Sequence, residues 1–387
     1  MKNPTCEHES VLDLRNVSAE DIATKLYFSG AEKRLILVFY PLLLAFGLIG
    51  NFAFLAVVVR IPSMRTITNT YLANLAVCDI FFISTMVYDI FIAYLVSPDI
   101  KMKPYNTSYG CSVIFGLLYT AHFTALCIVV MMSFERYMAI CRPLQHRIVV
   151  ANGRTKKLLL FSWTFGFLYT VFILPAFSSL RKSCILWPDE VKYNAAPSVM
   201  KLCVPMLPFY KSLTYMVQVI PYIITVVLSS FMYYRIIATL HTRLSSKTFD
   251  SKDRGTSTLN EQRAETARNQ VAQLLIATGI VLILCYAPYY VTRINDALLY
   301  LTNREFGFQL EQDKHGVLVW FVRGLSPTNS IIKPVIYSVT KSSLPQSISA
   351  GIYLGRRFQG RSDADKPIRE KPISPARLTQ DSNCLHP

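Results

Sequence analysis

Charge is scarce in this sequence. Only 17% of its 387 residues are charged, with 24 acidic residues against 40 basic ones, while 52% are apolar and the mean hydropathy is positive. Soluble domains usually carry about a quarter charged residues, so the composition argues for a membrane protein. The nine cysteines are too few and too scattered for a disulfide framework. Most read as small hydrophobes inside helices. The first ~30 residues have no apolar core followed by a small-residue cleavage site, so no cleavable signal peptide is expected and the first membrane helix serves as the targeting signal. Metal-ligand clusters, phosphate loops and a nucleophile beside a base are all missing, which excludes an enzyme reading and gives no reason to expect a cofactor.

What the chain does have is long apolar runs. Stretches able to cross ~30 Å of hydrocarbon as helices lie at about 34–60, 69–96, 108–140, 157–178, 206–240, 268–300 and 316–338. Seven spans put the two ends on opposite sides of the membrane. The net charge of +16 suggests nucleic acid at first sight, but the basic residues are confined to short loops and form no continuous basic face. Arg60 and Arg65 follow the first span; Arg142, Arg147, Arg154, Lys156 and Lys157 follow the third; Arg235, Arg243, Lys247 and Lys252 follow the fifth. Those loops are therefore cytoplasmic. The segment 1–33, with Glu7, Glu9, Asp13, Glu20 and Asp21, is placed outside, as are the glycosylation sequons at Asn16 and Asn106. Residues 34–340 form the membrane domain. The tail 341–387, rich in Pro, Ser, Arg and Asp beyond about Arg356, reads as mostly disordered and cytoplasmic. Its end, Cys384-Leu385-His386-Pro387, fits a prenylation box poorly.

Seven helices with an outer N-terminus fit receptors, some transporters and light-driven pumps. The motifs separate them: Gly50-Asn51, Leu72-Ala73-Asn74-Leu75-Ala76 running into Asp79, Cys111, Glu135-Arg136-Tyr137, Trp163, Pro221, Cys285-Tyr286-Ala287-Pro288, and Pro334 with Tyr337, one set per span and in order. On these residues the chain resembles the class A (rhodopsin-like) G protein-coupled receptors, an all-α seven-helix bundle of the plasma membrane. The run from Ser133 to Leu144 is most similar to the neuropeptide-receptor branch, which includes thyrotropin-releasing hormone and neuromedin receptors.

The resemblance implies a switch. Arg136 would engage the G protein when the sixth helix swings outward, with Glu135 as its local ion-pair partner and Tyr137 completing the motif. A second acidic clasp at the start of the sixth helix is missing, since Arg268 stands near that place and Glu265 about a turn earlier, and a raised basal activity follows from that. Pro221 and Pro288 remove helical hydrogen bonds and bend their helices, although proline is tolerated in membrane helices generally. The family's tryptophan toggle is Tyr286, its earlier phenylalanine Leu282, and a tyrosine that supports the active state is replaced by Ser229. Asn51 and Asn329 join this set. Asp79, inside the second span, needs a partner. The family uses it as a sodium site, but here Lys333 replaces the asparagine next to Pro334, and Ala125 replaces a hydroxylated residue. An internal Asp79–Lys333 pair and sodium-independent agonist binding are the expectation; the alternative is that Lys333 snorkels to the cytoplasm.

The resemblance also implies a hairpin in the second outer loop, with strands 181–188 and 199–205, and a disulfide from Cys111 to Cys203 or, in competition, Cys184. The leftover thiol would pair with Cys6. Aminergic members carry an aspartate where this chain has Leu118, which argues against a monoamine ligand; Lys333 lies about 9 Å too deep to be a retinal lysine at ~1.5 Å per residue. Arg293 and Arg323 are expected to point into the bundle beside Trp320, Tyr289, Tyr119, His122 and Gln218, with Asp89 and Asp296 to receive a basic group. Guanidinium binds carboxylates bidentately and stacks on rings, so a short peptide suits such a cavity. The plainer reading has the two arginines capping their helices in water, His122 satisfied in the core, and the aromatics simply packed. Expected partners are an extracellular peptide, a heterotrimeric G protein, membrane lipid, and arrestin and receptor kinases acting on Ser245, Ser246, Thr256, Ser257, Ser374 and Thr379. A ligand scavenger with weak signalling and a proton or solute transporter are the competing functions, the latter opposed by the absence of internal repeats and paired broken helices.

Overall fold

The computed structural model describes residues 10–150, 153–250, 259–301 and 324–332. Five long helices carry most of the membrane portion: α4 (Ile67–Val96), α5 (Ser108–Cys141), α7 (Arg154–Ile173), α8 (Pro208–Asp250) and α9 (Leu259–Leu301). A sixth, α3 (Tyr40–Arg60), is reached through α2 (Gly30–Arg34) and a π-helical segment, so that the first span runs unbroken from Gly30 to Arg60. Six spans long and apolar enough to cross a membrane are found among the described residues. Of the seventh expected span, residues 324–332 are helical.

The helices start where the sequence provides caps. Thr66 accepts the Asn69 N–H at 3.2 Å at the head of α4, and Ser29 with Glu32 closes a capping box ahead of α2. Lipid-facing positions stay apolar, as shown by exposed Phe46, Ile49, Val59, Phe167, Leu284 and Val291. A helix that is hydrophobic all round belongs in such a solvent.

Helix α5 is the central pillar, packed against α4, α7, α8 and α9. Its contact with α7 is close because Gly166 lacks a side chain: a Cβ there would lie 2.0 Å from Thr124 Oγ1 and 2.8 Å from the Thr124 backbone nitrogen. Two polar ties between helices follow motif residues. Trp163 donates its indole N–H to Asn74 Oδ1 at 3.1 Å, and Asn51 donates to the Gly47 carbonyl at 2.8 Å and to the Ser330 carbonyl at 2.9 Å.

The outer side holds more structure than expected. Strands β2 (Ser179–Leu186) and β3 (Val199–Val204) form the expected antiparallel hairpin, and β1 (Ser10–Asp13) adds to it in parallel, with Ser10 opposite Ser183. Helix α1 (Ala19–Leu26) then folds back so that Leu14, Ile22 and Leu26 pack with Ile100, Ile185, Tyr193 and Met200. Lys101–Glu32 at 3.1 Å and Lys33–Asp99 at 2.8 Å fasten the head of the first span to the first outer loop. Asn16 and Asn106 are both exposed, on the outer side.

Cys111 bridges Cys203, with Cα atoms 5.9 Å apart, which resolves the competition in favour of Cys203. Cys184 is also in a disulfide; Cys6, its expected partner, lies outside the described residues. A short helix in the second cytoplasmic loop, α6 (Pro143–Val150), was not anticipated.

Candidate functional site

Between α5, α8 and α9, toward the outer side, four of the expected ligand residues come together. Gln218 donates its amide N–H to the Tyr119 hydroxyl at 3.2 Å, and the Tyr289 hydroxyl donates to Gln218 Oε1 at 3.4 Å. The Arg293 guanidinium lies over the Tyr289 ring, 5.1 Å from its centroid. Tyr119 is held by rings on three sides, stacked with Phe115 and Phe123 and tilted against Phe177 at 5.1 Å. The result is an aromatic wall with one cation and one amide on it, able to take a carboxylate or carbonyl together with an apolar group.

Below this wall lies a second layer. His122 Nε2 is 2.6 Å from the Tyr290 hydroxyl, both residues buried. His122 therefore has a partner in the core, which favours the plain reading of that residue over direct ligand contact. Tyr290 stacks on Tyr222 at 4.1 Å, and Tyr222 donates its hydroxyl to the Ile283 carbonyl at 3.0 Å. Tyr286, at the toggle position, packs against His122 at 4.8 Å and Phe82 at 6.2 Å. Pro288 cannot donate to the carbonyl four residues earlier. The Tyr222 bond thus meets α9 beside its weakest point.

Asp89 departs from expectation. Its carboxylate is bonded to both Lys103 and Tyr105 of the first outer loop, and is therefore neutralised by the chain itself instead of waiting for a basic ligand group. Burial, with the Asp89 charge second, raises the Tyr105 pKa well above its ordinary value, so its hydroxyl stays a donor. The Lys103 ammonium also lies 5.4 Å from the centre of the Phe115 ring. Asp296 is in α9, but its side chain lies outside the described residues, as do Trp320 and Arg323.

At the cytoplasmic end, Glu135 is buried, 2% exposed. His146 Nε2, on α6, is 2.8 Å from Glu135 Oε1, and Arg154, opening α7, is 3.6 Å from Oε2. Among the described residues Arg136 makes no hydrogen bond or ion pair, so the expected local pair is replaced by a tie between α5 and the second cytoplasmic loop. Tyr137 packs beside Ile140 and Ile236. In mid-membrane Asp79, Asn51, Asn329 and Ser330 are all buried. Neither amide atom of Asn329 has a hydrogen-bond partner among the described residues. Lys333, Pro334 and Tyr337 lie outside the described residues, and the Asp79–Lys333 pair with them. Pro221 sits inside α8, where its carbonyl accepts from Thr225 at 2.8 Å.

Lys103, Tyr105, His146, Tyr222 and Tyr290 were missed from the sequence. The Tyr289-Tyr290 doublet was a signal for the last of these, because neighbouring helical positions face different layers of a bundle. The loop residues left no such signal.

Residues 50–337 match the family described as 7 transmembrane receptor (rhodopsin family). The chain is 25% identical to neuromedin-U receptor 1 of Mus musculus over 88% of its own length and 79% of that protein's. It is 26% identical to somatostatin receptor type 5 of Rattus norvegicus, covering 87% and 82% of the two chains, and 26% identical to the thyrotropin-releasing hormone receptor of Homo sapiens, covering 86% and 81%.

Proposed function

Because the chain belongs to the rhodopsin family of seven-transmembrane receptors, we propose that it binds a short extracellular peptide and passes the signal to a heterotrimeric G protein. The observation that carries the peptide reading is Arg293 over Tyr289, joined through Gln218 to Tyr119. A peptide's terminal carboxylate or amide carbonyl suits the guanidinium, and its side chains suit the rings. The relatives named for neuromedin-U, somatostatin and thyrotropin-releasing hormone support the same class.

The mechanism needs no covalent step. Ligand on Arg293 and Tyr289 disturbs the first layer, which shares α9 with Tyr290 and α8 with Tyr222. Rearrangement of the His122–Tyr290 and Tyr222–Ile283 bonds then lets α9 bend at Pro288 and uncover Arg136. A ligand drives this only through its higher affinity for the open arrangement. Arrestin and receptor kinases acting on the cytoplasmic loop and tail belong to the same proposal.

The test is a charge swap. Arg293→Glu is expected to abolish the response to a free-acid peptide agonist while the receptor still reaches the surface. An unchanged dose-response curve would remove Arg293 from the site. The scavenger reading is favoured by one observation, Ser229 standing fully buried without a hydrogen-bond partner among the described residues where the family supports its active state. Peptide binding with no second messenger would select it.

A further inference from the structure

One turn beyond Ser229 on α8, Tyr233 is buried with its ring turned between α5 and α9. Its hydroxyl is hydrogen-bonded to that of Ser133 at 2.8 Å, three residues before Arg136. The ring packs with Ile140, Cys141 and Ile236, and Ile276 of α9 closes over the same cluster. On its far side is Gly279. A Cβ at Gly279 would fall 2.1 Å from the Tyr233 hydroxyl oxygen and 2.9 Å from Cζ. The tyrosine tip therefore rests directly on the α9 backbone, in a notch that exists only because residue 279 has no side chain.

Two features make this contact more than packing. The ring is fixed at its tip by Ser133, and a buried aromatic side chain in a close-packed interior has few other rotamers to adopt, so a methyl group on α9 meets an obstacle that does not easily yield. The notch also lies on the cytoplasmic side of Pro288, on the part of α9 that moves in the mechanism proposed above. The distance between α9 and α5 at this level is then set by the glycine and the tyrosine together.

We propose that Tyr233 is a positioning residue for signalling: its ring, seated on Gly279 and tied to Ser133, sets how closely α9 approaches α5 one turn before Arg136. The consequence for signalling rests on the function proposed above; the contact and its control of helix position do not. Adding a methyl group at 279 forces α9 outward. Shortening the tyrosine in the same chain lets it return.

The experiment uses the full chain carrying spin labels at Leu144→Cys and Gln273→Cys, both exposed, with the chain lacking these two substitutions as the labelling background. The label-to-label distance and basal calcium and cyclic AMP signalling are read together for Gly279→Ala, for Gly279→Ala with Tyr233→Leu, and for Ser133→Ala. The expected result is a longer distance and severalfold higher basal signalling in Gly279→Ala, both reversed by Tyr233→Leu, with Ser133→Ala intermediate. If Gly279→Ala fails to reach the surface, recovery of surface expression in the double variant identifies the same contact. An unchanged distance in Gly279→Ala, or a double variant as altered as the single one, overturns the proposal. A longer distance without any signalling change sustains the notch and counts against the receptor reading instead.

Discussion

Glu135 reaches His146, 2.8 Å away on α6, and among the described residues the adjacent Arg136 has no ion-pair partner. The carboxylate is buried, so it needs this donor. His146→Ala should free Glu135 to turn to Arg136 and damp the switch. A hydrogen bond to a charged group is worth about 1.5–3 kcal/mol. Basal and agonist-driven signalling are both expected to fall by roughly 10- to 100-fold, at ~1.4 kcal/mol per decade, with surface expression unchanged. Equal signalling in the variant would show that Arg136 is held by something else.

Asp89 gives a second prediction through its bond to Lys103. If the pair serves the loop, Asp89→Asn and Lys103→Ala should weaken peptide binding alike, and the double variant should be no worse than either single one. Pairs that interact are non-additive by about 0.5–3 kcal/mol. If Asp89 bound the ligand's basic group instead, only Asp89→Asn would weaken binding, and only for ligands carrying that group.

The outer cap should fold as a separable unit. Leu14 is fully buried among Ile22, Leu26 and Ile185, so Leu14→Ala is expected to cost about 2–5 kcal/mol of cap stability. Hydrogen exchange should then show loss of amide protection in β1 and α1 while α5 and α7 keep theirs. Protection lost through the whole chain would mean that the cap and bundle unfold together.

Asp79 and Ala125 are both buried, and the Ala125 side chain has no oxygen to offer a cation. The proposal that Lys333 neutralises Asp79 predicts agonist affinity independent of sodium at fixed ionic strength. A fall in affinity as sodium replaces a larger cation would reject it. Lys333→Asn should in that case change nothing; under the proposal it should introduce sodium sensitivity.

What could be read from the sequence follows from what its physics makes local. Apolar runs gave the helices, because length and solvent decide them. Tyr119, Gln218, Tyr289 and Arg293 were expected near one another because rigid helices carry residues to fixed depths. Their meeting is visible in the hydrogen bonds through Gln218. The parallel pairing of Ser10 with Ser183, the neutralisation of Asp89 by a lysine fourteen residues on, and the turn of Glu135 toward His146 were not legible. Each depends on a loop or terminus folding back, which no period in the sequence encodes. The bridge from Cys111 to Cys203, with Cys184 as its competitor, was legible through the resemblance, and the disulfide bears it out.

The most direct test is a panel of short amidated and free-acid peptides applied to cells expressing the chain, reading calcium and cyclic AMP beside Arg136→Ala at matched surface expression. The account predicts at least one peptide whose response is present in the unsubstituted chain and lost in Arg136→Ala. Saturable peptide binding with no second messenger in either chain, or a response that survives Arg136→Ala, would contradict it.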